Sequence, residues 1–515
     1  VGLKKAYKEF NAAIGSLYSN HLELSTGDST PQYDKAVFDE LARFIYNSGG
    51  FSTSQLGSTQ GRNALRETQK LISQAITSCI DYDIPKELLY ALENNAFVFS
   101  GFKTFHTMRE IGLSMVTETG EIKPFEQFFT DVQKVNENYN RHYLYSEYHH
   151  ALSASQMAVK WQEFQENGDE YCLQYRTAND SRVREEHAVL HNTTLPVSDP
   201  FWDQFYPPNG WNCRCTVVEV LKSMYEETDP EEARKRGIAC TEGEKNKIFR
   251  YNPGKTMKLF PPKHPYFKAP KADKAIVVQV SQEEARSNRI ESIIAELPDN
   301  LTPEEKRAIA EHSLKLEDAL KITKGAPMTV DQADKQNANP NFGKERGYGI
   351  NCQTCTPAYV LRTLGFDITA KSNTPGSKLD YLSRGFNAWE VWQNTDGTPA
   401  THKSVNSWLR EKGFRQMTSK RWLKYFNETC KEPGIYGLSV GWKGGGGHMT
   451  VLQRFEDGEL RYIEPQHDNS KGSGRESRNL AYLAKIAAAI QHDCRGIMRI
   501  DNKLFNLSYV EIFNK

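Results

Sequence analysis

Four residues spread over more than a hundred positions could together do nucleophilic chemistry. Cys352 and Cys355 lie in Arg346-Gly347-Tyr348-Gly349-Ile350-Asn351-Cys352-Gln353-Thr354-Cys355. The helix-like run Ala358-Tyr359-Val360-Leu361-Arg362-Thr363-Leu364 follows and is ended by Gly365. A cysteine at a helix N-terminus has its thiolate favoured by the helix dipole and by free backbone N–H groups. His448 comes after the glycine run Gly444 to Gly447 and opens the strand-like stretch His448 to Phe455. Glu464 follows a second strand-like stretch, Leu460 to Ile463. A hairpin turning at Asp457-Gly458 would bring His448 and Glu464 to the same open end. Nucleophile, base and orienting carboxylate are what amide or acyl transfer needs, and N–H groups at the helix start could bind the oxyanion. The rival readings are a metal or redox half-site for Cys-x-x-Cys and a plain loop role for His448. No second cysteine pair lies nearby, since Cys430 and Cys494 are isolated, and no βαβ pattern surrounds Cys352. The combination therefore favours catalysis. Pro357 is tolerated only in a first helical turn, so the helix is expected to start near Thr354 or Cys355. That places Cys355 at the dipole end, with Cys352 in the loop before it.

A second set could hold a metal. His187 and His191 are four apart and would share a helix face. Cys213 and Cys215 are two apart and would share a strand face. Two imidazoles and two thiolates suit tetrahedral zinc, but Cys-x-Cys bites more tightly than the usual finger spacing. The preferred reading is structural: hydrogen bonds within a tight loop and packed thiols.

These residues must be positioned by a long chain. At 515 residues it has room for about three domains. Hydrophobic residues make up 38% and charged residues 25%, the balance of an ordinary globular protein. Lys plus Arg and Asp plus Glu both number 65, so no global field exists to hold nucleic acid. No segment has the length and apolarity of a membrane span. No signal-peptide pattern stands at the start, which weighs little because the first residue is Val1. Nine cysteines do not make a disulfide scaffold, and the five outside the pairs, such as Cys79 and Cys494, read as reduced thiols.

Residues 1 to 165 read as mostly helical, with breaks at Gly49-Gly50 and Glu118-Thr119-Gly120. The longest apolar stripe runs through Phe128, Val132, Val135, Tyr139, Tyr143, Tyr148, Ala151, Ala154, Ala158 and Trp161. Residues 166 to 222 turn polar, Pro-rich and aromatic and end in the strand-like Thr216 to Val220. Residues 223 to 328 read as a turn-rich, locally basic extension and a linker, with a helix near Pro303 to Leu320. A new compact unit is expected from about Thr329.

Several words recur in order: Tyr139-Asn140, Tyr145-Ser146-Glu147-Tyr148, Ala151 and Trp161, then Thr177, Asp180, Val183-Arg184 and His187. Pro207-Pro208-Asn209-Gly210-Trp211-Asn212-Cys213-Arg214-Cys215 closes the series. This order resembles the phage Mu F-like head-morphogenesis family over roughly residues 85 to 222. The resemblance implies a minor head protein of the virion that works with phage portal and capsid proteins in capsid assembly. Asn252-Pro253-Gly254 and His264-Pro265-Tyr266 look like the usual continuation, with no chemistry to assign.

The Asn351-Cys352, Gly447-His448 and Glu464-Pro465-Gln466 words resemble the papain-fold toxin family found at the ends of polymorphic toxins. Cys352, His448 and Glu464 match its three places, except that the family usually carries Asp where Glu464 stands. Family position makes Cys352 the nucleophile, with Cys355 the alternative. The resemblance implies glutamine deamidation or peptide cleavage, a host protein substrate in the host cytoplasm, an immunity protein as a further partner, and no cofactor. The expected class is α+β: a helical region (1–84), a head-morphogenesis domain (85–222), the extension and linker (223–328), and a separate papain-like domain (329–515). Two alternatives stand beside the effector reading. One is a structural capsid protein with an inactive papain-like domain; the other is a head-maturation cysteine peptidase.

Overall fold

The computed structural model describes residues 2–18, 32–78, 84–167, 170–334, 337–442, 446–467, 480–488 and 493–514. Cys79, Gly444 and Gly445 lie outside the described residues. The chain is α+β and divides into two compact units, Val1–Asn288 and Arg289–Lys515.

The first unit is built on long helices. Lys35–Asn47, Thr59–Thr77, Lys86–Ser114, Phe125–Asn136 and Leu144–Glu166 share one apolar core. The Lys35 helix is capped by Asp34, whose side chain accepts from Ala36 N–H, and buries Phe38, Leu41, Ala42 and Ile45 at the three-and-four spacing of an apolar stripe. The longest stripe has a step of five between Tyr143 and Tyr148. The backbone accounts for it: Glu137–Tyr143 forms a π-helical turn between the two flanking helices. That extra residue rephases the stripe, so Val135, Tyr139, Ala151 and Trp161 are all buried.

After the last of these helices comes a three-stranded antiparallel sheet with Tyr171–Arg176 in the middle. Thr194–Pro196 pairs on one side and Thr216–Leu221 on the other. Leu173, Tyr175, Trp202, Tyr206 and Val217 fill a second core with Trp161 and Phe164. Two words without assigned chemistry become packing devices here. Asn252 Oδ1 accepts from the N–H groups of Gly254 and Lys255, and its Nδ2 donates to Trp202 O. Gly254 sits where a Cβ would lie 2.2 Å from the Trp161 Cβ, so only glycine fits. His264 is fully buried, its Nδ1 accepting from Tyr266 N–H.

The second unit takes in the helix Pro303–Leu320, which starts with a capping box between Thr302 and Glu305. Its central sheet runs Lys403–Ser404, Gly496–Arg499, Gly434–Trp442, Gly447–Arg454, Leu460–Ile463, all antiparallel. Side chains alternate between its faces, as the period of two requires. Ile435, Met449, Val451, Ile463 and Met498 join one core with Cys355, Tyr359 and Leu361 of the helix Cys352–Thr363. Tyr436, Leu438, Val440, Leu452 and Ile497 join another with Trp408, Tyr425 and Phe426. The sheet is therefore buried on both faces, with the cysteine helix on one of them.

Candidate functional site

The two cysteines of the second unit have opposite fates. The helix begins at Cys352, with Asn351 as its N-cap. The expected start at Thr354 or Cys355 is thus corrected, and Pro357 lies inside the helix. A proline there removes one hydrogen bond and crowds the preceding turn, which costs about 3 kcal/mol. Contacts from outside the helix hold that turn in place. Gln353 Nε2 donates to Leu379 O at 2.8 Å, and Asn351 O accepts from the N–H groups of Thr354 and Cys355. Cys352 is therefore the first helical residue, where a thiolate meets the positive end of the dipole. Cys355, one turn further in, is 1% exposed, and its thiol donates to Asn351 Oδ1 at 3.3 Å. Burial, with the nearby Cys352 and Glu464, pushes the Cys355 thiol well above its ordinary value.

His448 is the residue that distinguishes them. The turn at Asp457-Gly458, with Gly458 at φ +83°, pairs Val451 with Ile463 and sets His448 and Glu464 at one end of the hairpin. His448 Nε2 lies 2.7 Å from Glu464 Oε2. The imidazole is near enough to Cys352 for its charge and proton to favour the thiolate, while the Cys352 thiol donates to Gln353 Oε1 at 3.6 Å. Burial alone would push the Cys352 thiol up. The His448 hydrogen bond and charge, with the Met449 N–H, outweigh it and hold the thiol below its ordinary value. Burial would likewise lower His448, yet the Glu464 charge and the bonds to Cys352 and Glu464 raise it to about 10. Glu464 is 1% exposed, which works against its charge, but His448 draws the carboxyl down to about 2. These directions favour charge on all three groups, as thiolate, imidazolium and carboxylate.

Several supporting residues complete the site. Tyr462 donates its hydroxyl to Glu464 Oε2, and Gln466 N–H donates to Oε1 at 3.1 Å. Asn351 ties the approach to the helix: its Nδ2 donates to Asn339 Oδ1 and Lys371 O, and its Oδ1 accepts from Gln466 Nε2. Asn339 returns a bond to Gln466 O at 2.6 Å. The Trp442 ring lies 5.3 Å from that of His448. Tyr462 could have been found from strand alternation, two residues before Glu464. Asn339 could not.

In the first unit the four zinc candidates separate into three and one. His187 sits on a single helical turn, Glu185–Ala188, too short to carry His191 on the same face. His191 Nδ1 instead accepts from Thr177 N–H and bonds Thr177 Oγ1 at 2.9 Å. Cys213 and Cys215 precede the strand Thr216–Leu221 rather than lying in it. Irregular backbone, with Asn212 at φ +53°, turns both sulfurs inward, and each lies 3.6 Å from His187 Nδ1. Asp180 joins the same loops, accepting two bonds from the Arg214 guanidinium at 2.6 and 2.7 Å. Gly210 leaves room for Arg184, since a Cβ there would meet Arg184 Nη1 at 2.6 Å. Glu147 serves the helical core. It is fully buried against Lys103 and accepts from the Tyr18 hydroxyl at 2.8 Å. Lys103 was legible only as a lone cation inside Phe97 to Phe105.

Residues 119–218 match the family described as Phage Mu protein F like protein. Over 54 residues the chain is 57% identical to the putative capsid assembly protein F of Escherichia phage Mu, covering 10% of this chain and 12% of that one. Over 71 residues it is 44% identical to the Mu-like prophage FluMu F protein of Haemophilus influenzae, covering 14% and 15%. The matches thus span less than a sixth of either relative. No solved structure matches the chain. No helix among the described residues is long and apolar enough to cross a membrane.

Proposed function

We propose that this chain is a phage head component whose second unit is a papain-like cysteine hydrolase acting on an amide carbonyl. The head role rests on the Mu F-like segment and on the capsid assembly named for the phage Mu relative. Its partners there are portal and capsid proteins, and its place is the virion. The hydrolase reading rests on one observation: Cys352 opens a helix and is acted on by a histidine whose Nε2 lies 2.7 Å from a buried carboxylate.

The residues divide the work as follows. The Cys352 thiolate attacks the carbonyl carbon, and the oxyanion faces the N–H groups of Cys352 and Gln353, which have no helical carbonyl a turn back to bind. The His448 imidazolium gives its proton to the departing nitrogen as the thioester forms. Water then attacks the thioester, with His448 taking the water's proton. Glu464 keeps Nε2 protonated and the ring aimed. A substrate glutamine releases ammonia by this route; a peptide bond is cleaved by it.

Mass spectrometry of host proteins after expression of the full chain tests the reading, with Cys352→Ala as control. A gain of about one dalton on a glutamine marks deamidation, and new chain ends mark proteolysis. Cleaved capsid proteins would instead identify a maturation peptidase. The hydrolase reading fails if Cys352 in the purified chain reacts with iodoacetamide no faster than free cysteine near neutral pH.

A further inference from the structure

The cysteines of the head segment lie in a different unit from that hydrolase centre, and their geometry calls for its own explanation. Cys213 Sγ and Cys215 Sγ stand at the same distance, 3.6 Å, from one atom, His187 Nδ1. A ring nitrogen has one proton or one lone pair to share, so it can make one good hydrogen bond to sulfur, not two. Equal approach of two sulfurs to one nitrogen is what a shared metal ion produces. Metal–sulfur bonds of about 2.3 Å and metal–nitrogen bonds of about 2.0 Å, opened to the tetrahedral angle, separate the two donors by about 3.5 to 3.6 Å. All three residues are buried, and their donor atoms lie within 4.8 Å of one another. They also line a cavity of about 820 Å³, which gives a solvent molecule access to a fourth position.

We propose that His187 Nδ1, Cys213 Sγ and Cys215 Sγ form a tetrahedral zinc site in the head segment, with the fourth position open to the adjoining cavity. Two thiolates and an imidazole suit zinc better than the hard cations that prefer oxygen. The ion cross-links two irregular segments, the loop carrying Arg184 and His187 and the loop from Asn209 to Cys215. Arg184 must respond to it. Its Nη1 lies 3.3 Å from His187 Nε2, while Nη2 bonds Trp211 O. An imidazole bound through Nδ1 carries its proton on Nε2 and needs an acceptor there, which a guanidinium is not. Loading therefore moves Nη1 off the ring and into the cavity that Arg184 also lines. Arg184→Gln, which removes the guanidinium from Nε2, should tighten metal binding.

The test uses the full chain with Cys352→Ala, so that the second unit contributes no activated thiol. Elemental analysis after purification from zinc-supplemented culture should find about one zinc per chain. His187→Ala and Cys215→Ala should each bring that to near zero. These variants could lose the loop fold itself, so a second measurement uses the metal-stripped parent titrated with cobalt(II). A thiolate-to-cobalt charge-transfer band with tetrahedral d–d bands, displaced by stoichiometric zinc, supports the site. Retained zinc that persists in His187→Ala and Cys215→Ala, or a parent with neither zinc nor the charge-transfer band, overturns it.

Discussion

Replacing Glu464 with glutamine should switch off the Cys352 thiolate without removing the cysteine. His448 rises from 6.5 to about 10, which at about 1.4 kcal/mol per pH unit favours the charged ring by about 5 kcal/mol. That preference survives against burial, and the Glu464 charge is the largest contribution raising it, ahead of the bond to Cys352. If Glu464 carries half of the net effect, its loss weakens the imidazolium by about 2.5 kcal/mol, or more than tenfold in proton affinity. The sign then passes to the thiol. A more weakly held imidazolium charge lowers Cys352 less, so burial, which raises it, counts for more, offset in part by loss of the Glu464 charge that also raises it. The assay is the rate of Cys352 alkylation by iodoacetamide from pH 5 to 9, read on the Cys352 peptide. The parent should react at a nearly constant rate through neutral pH. In Glu464→Gln the acid limb should move up by at least about one pH unit, lowering the rate near pH 6 at least tenfold. The experiment carries its own folding control, because Cys355 is 1% exposed and stays unlabelled while the unit is intact. Acid limbs that coincide in the two proteins, with Cys355 still protected, would refute the claim that Glu464 sets the charge of this pair.

Three further outcomes are expected. Gly254→Ala should destabilise the first unit by about 2–3 kcal/mol in denaturant unfolding, because its Cβ meets the Trp161 Cβ at 2.2 Å; no change in midpoint would show that Trp161 yields easily. Lys103→Met should cost about 3–5 kcal/mol by leaving Glu147 buried and unpaired, and adding Glu147→Leu should recover much of the loss. His448 is raised on folding, so its stabilising contribution is full below about pH 6.5 and fades as pH rises through about 10. The stability gap between the parent and His448→Asn should therefore close at alkaline pH, as read from urea midpoints.

What could be read from the residues depended on how local the determining physics was. The hairpin was legible because Asp457-Gly458 is a strong turn signal and the alternation around it is regular. From that alone His448 and Glu464 follow to one end, where the atoms stand 2.7 Å apart. The helix starts earlier than Pro357 argues because that argument is local, whereas the bond holding the first turn comes from Leu379, distant in sequence. His191 was misplaced for a related reason. Four-residue spacing means one face only where a helix persists, and this one ends at Ala188. The step of five in the 128–161 stripe was visible, but its cause, a π-helical turn, lies in backbone bonding that residue types do not announce. Asn339 joins the site through bonds to Asn351 and Gln466, and no short-range pattern points to it.

The two cysteine pairs show how far backbone context decides side-chain chemistry. Cys352 and Cys355 are a helical turn apart, so their sulfurs sit at different depths along one axis. The outer one faces His448, which holds its thiol below the ordinary value; the inner one is sealed among Tyr359, Leu361 and Val451 and donates to Asn351. Cys213 and Cys215 are two apart on irregular backbone, which Asn212 enters with a positive φ just before them, and both sulfurs face the same ring nitrogen. A helix therefore separates its pair into one reactive and one inert thiol, which suits covalent catalysis at a single atom. A twisted loop brings its pair to equivalence, which suits shared coordination of an ion. Exchanging the spacings would abolish both arrangements, because a helix cannot converge residues two apart and a strand would send residues three apart to opposite faces.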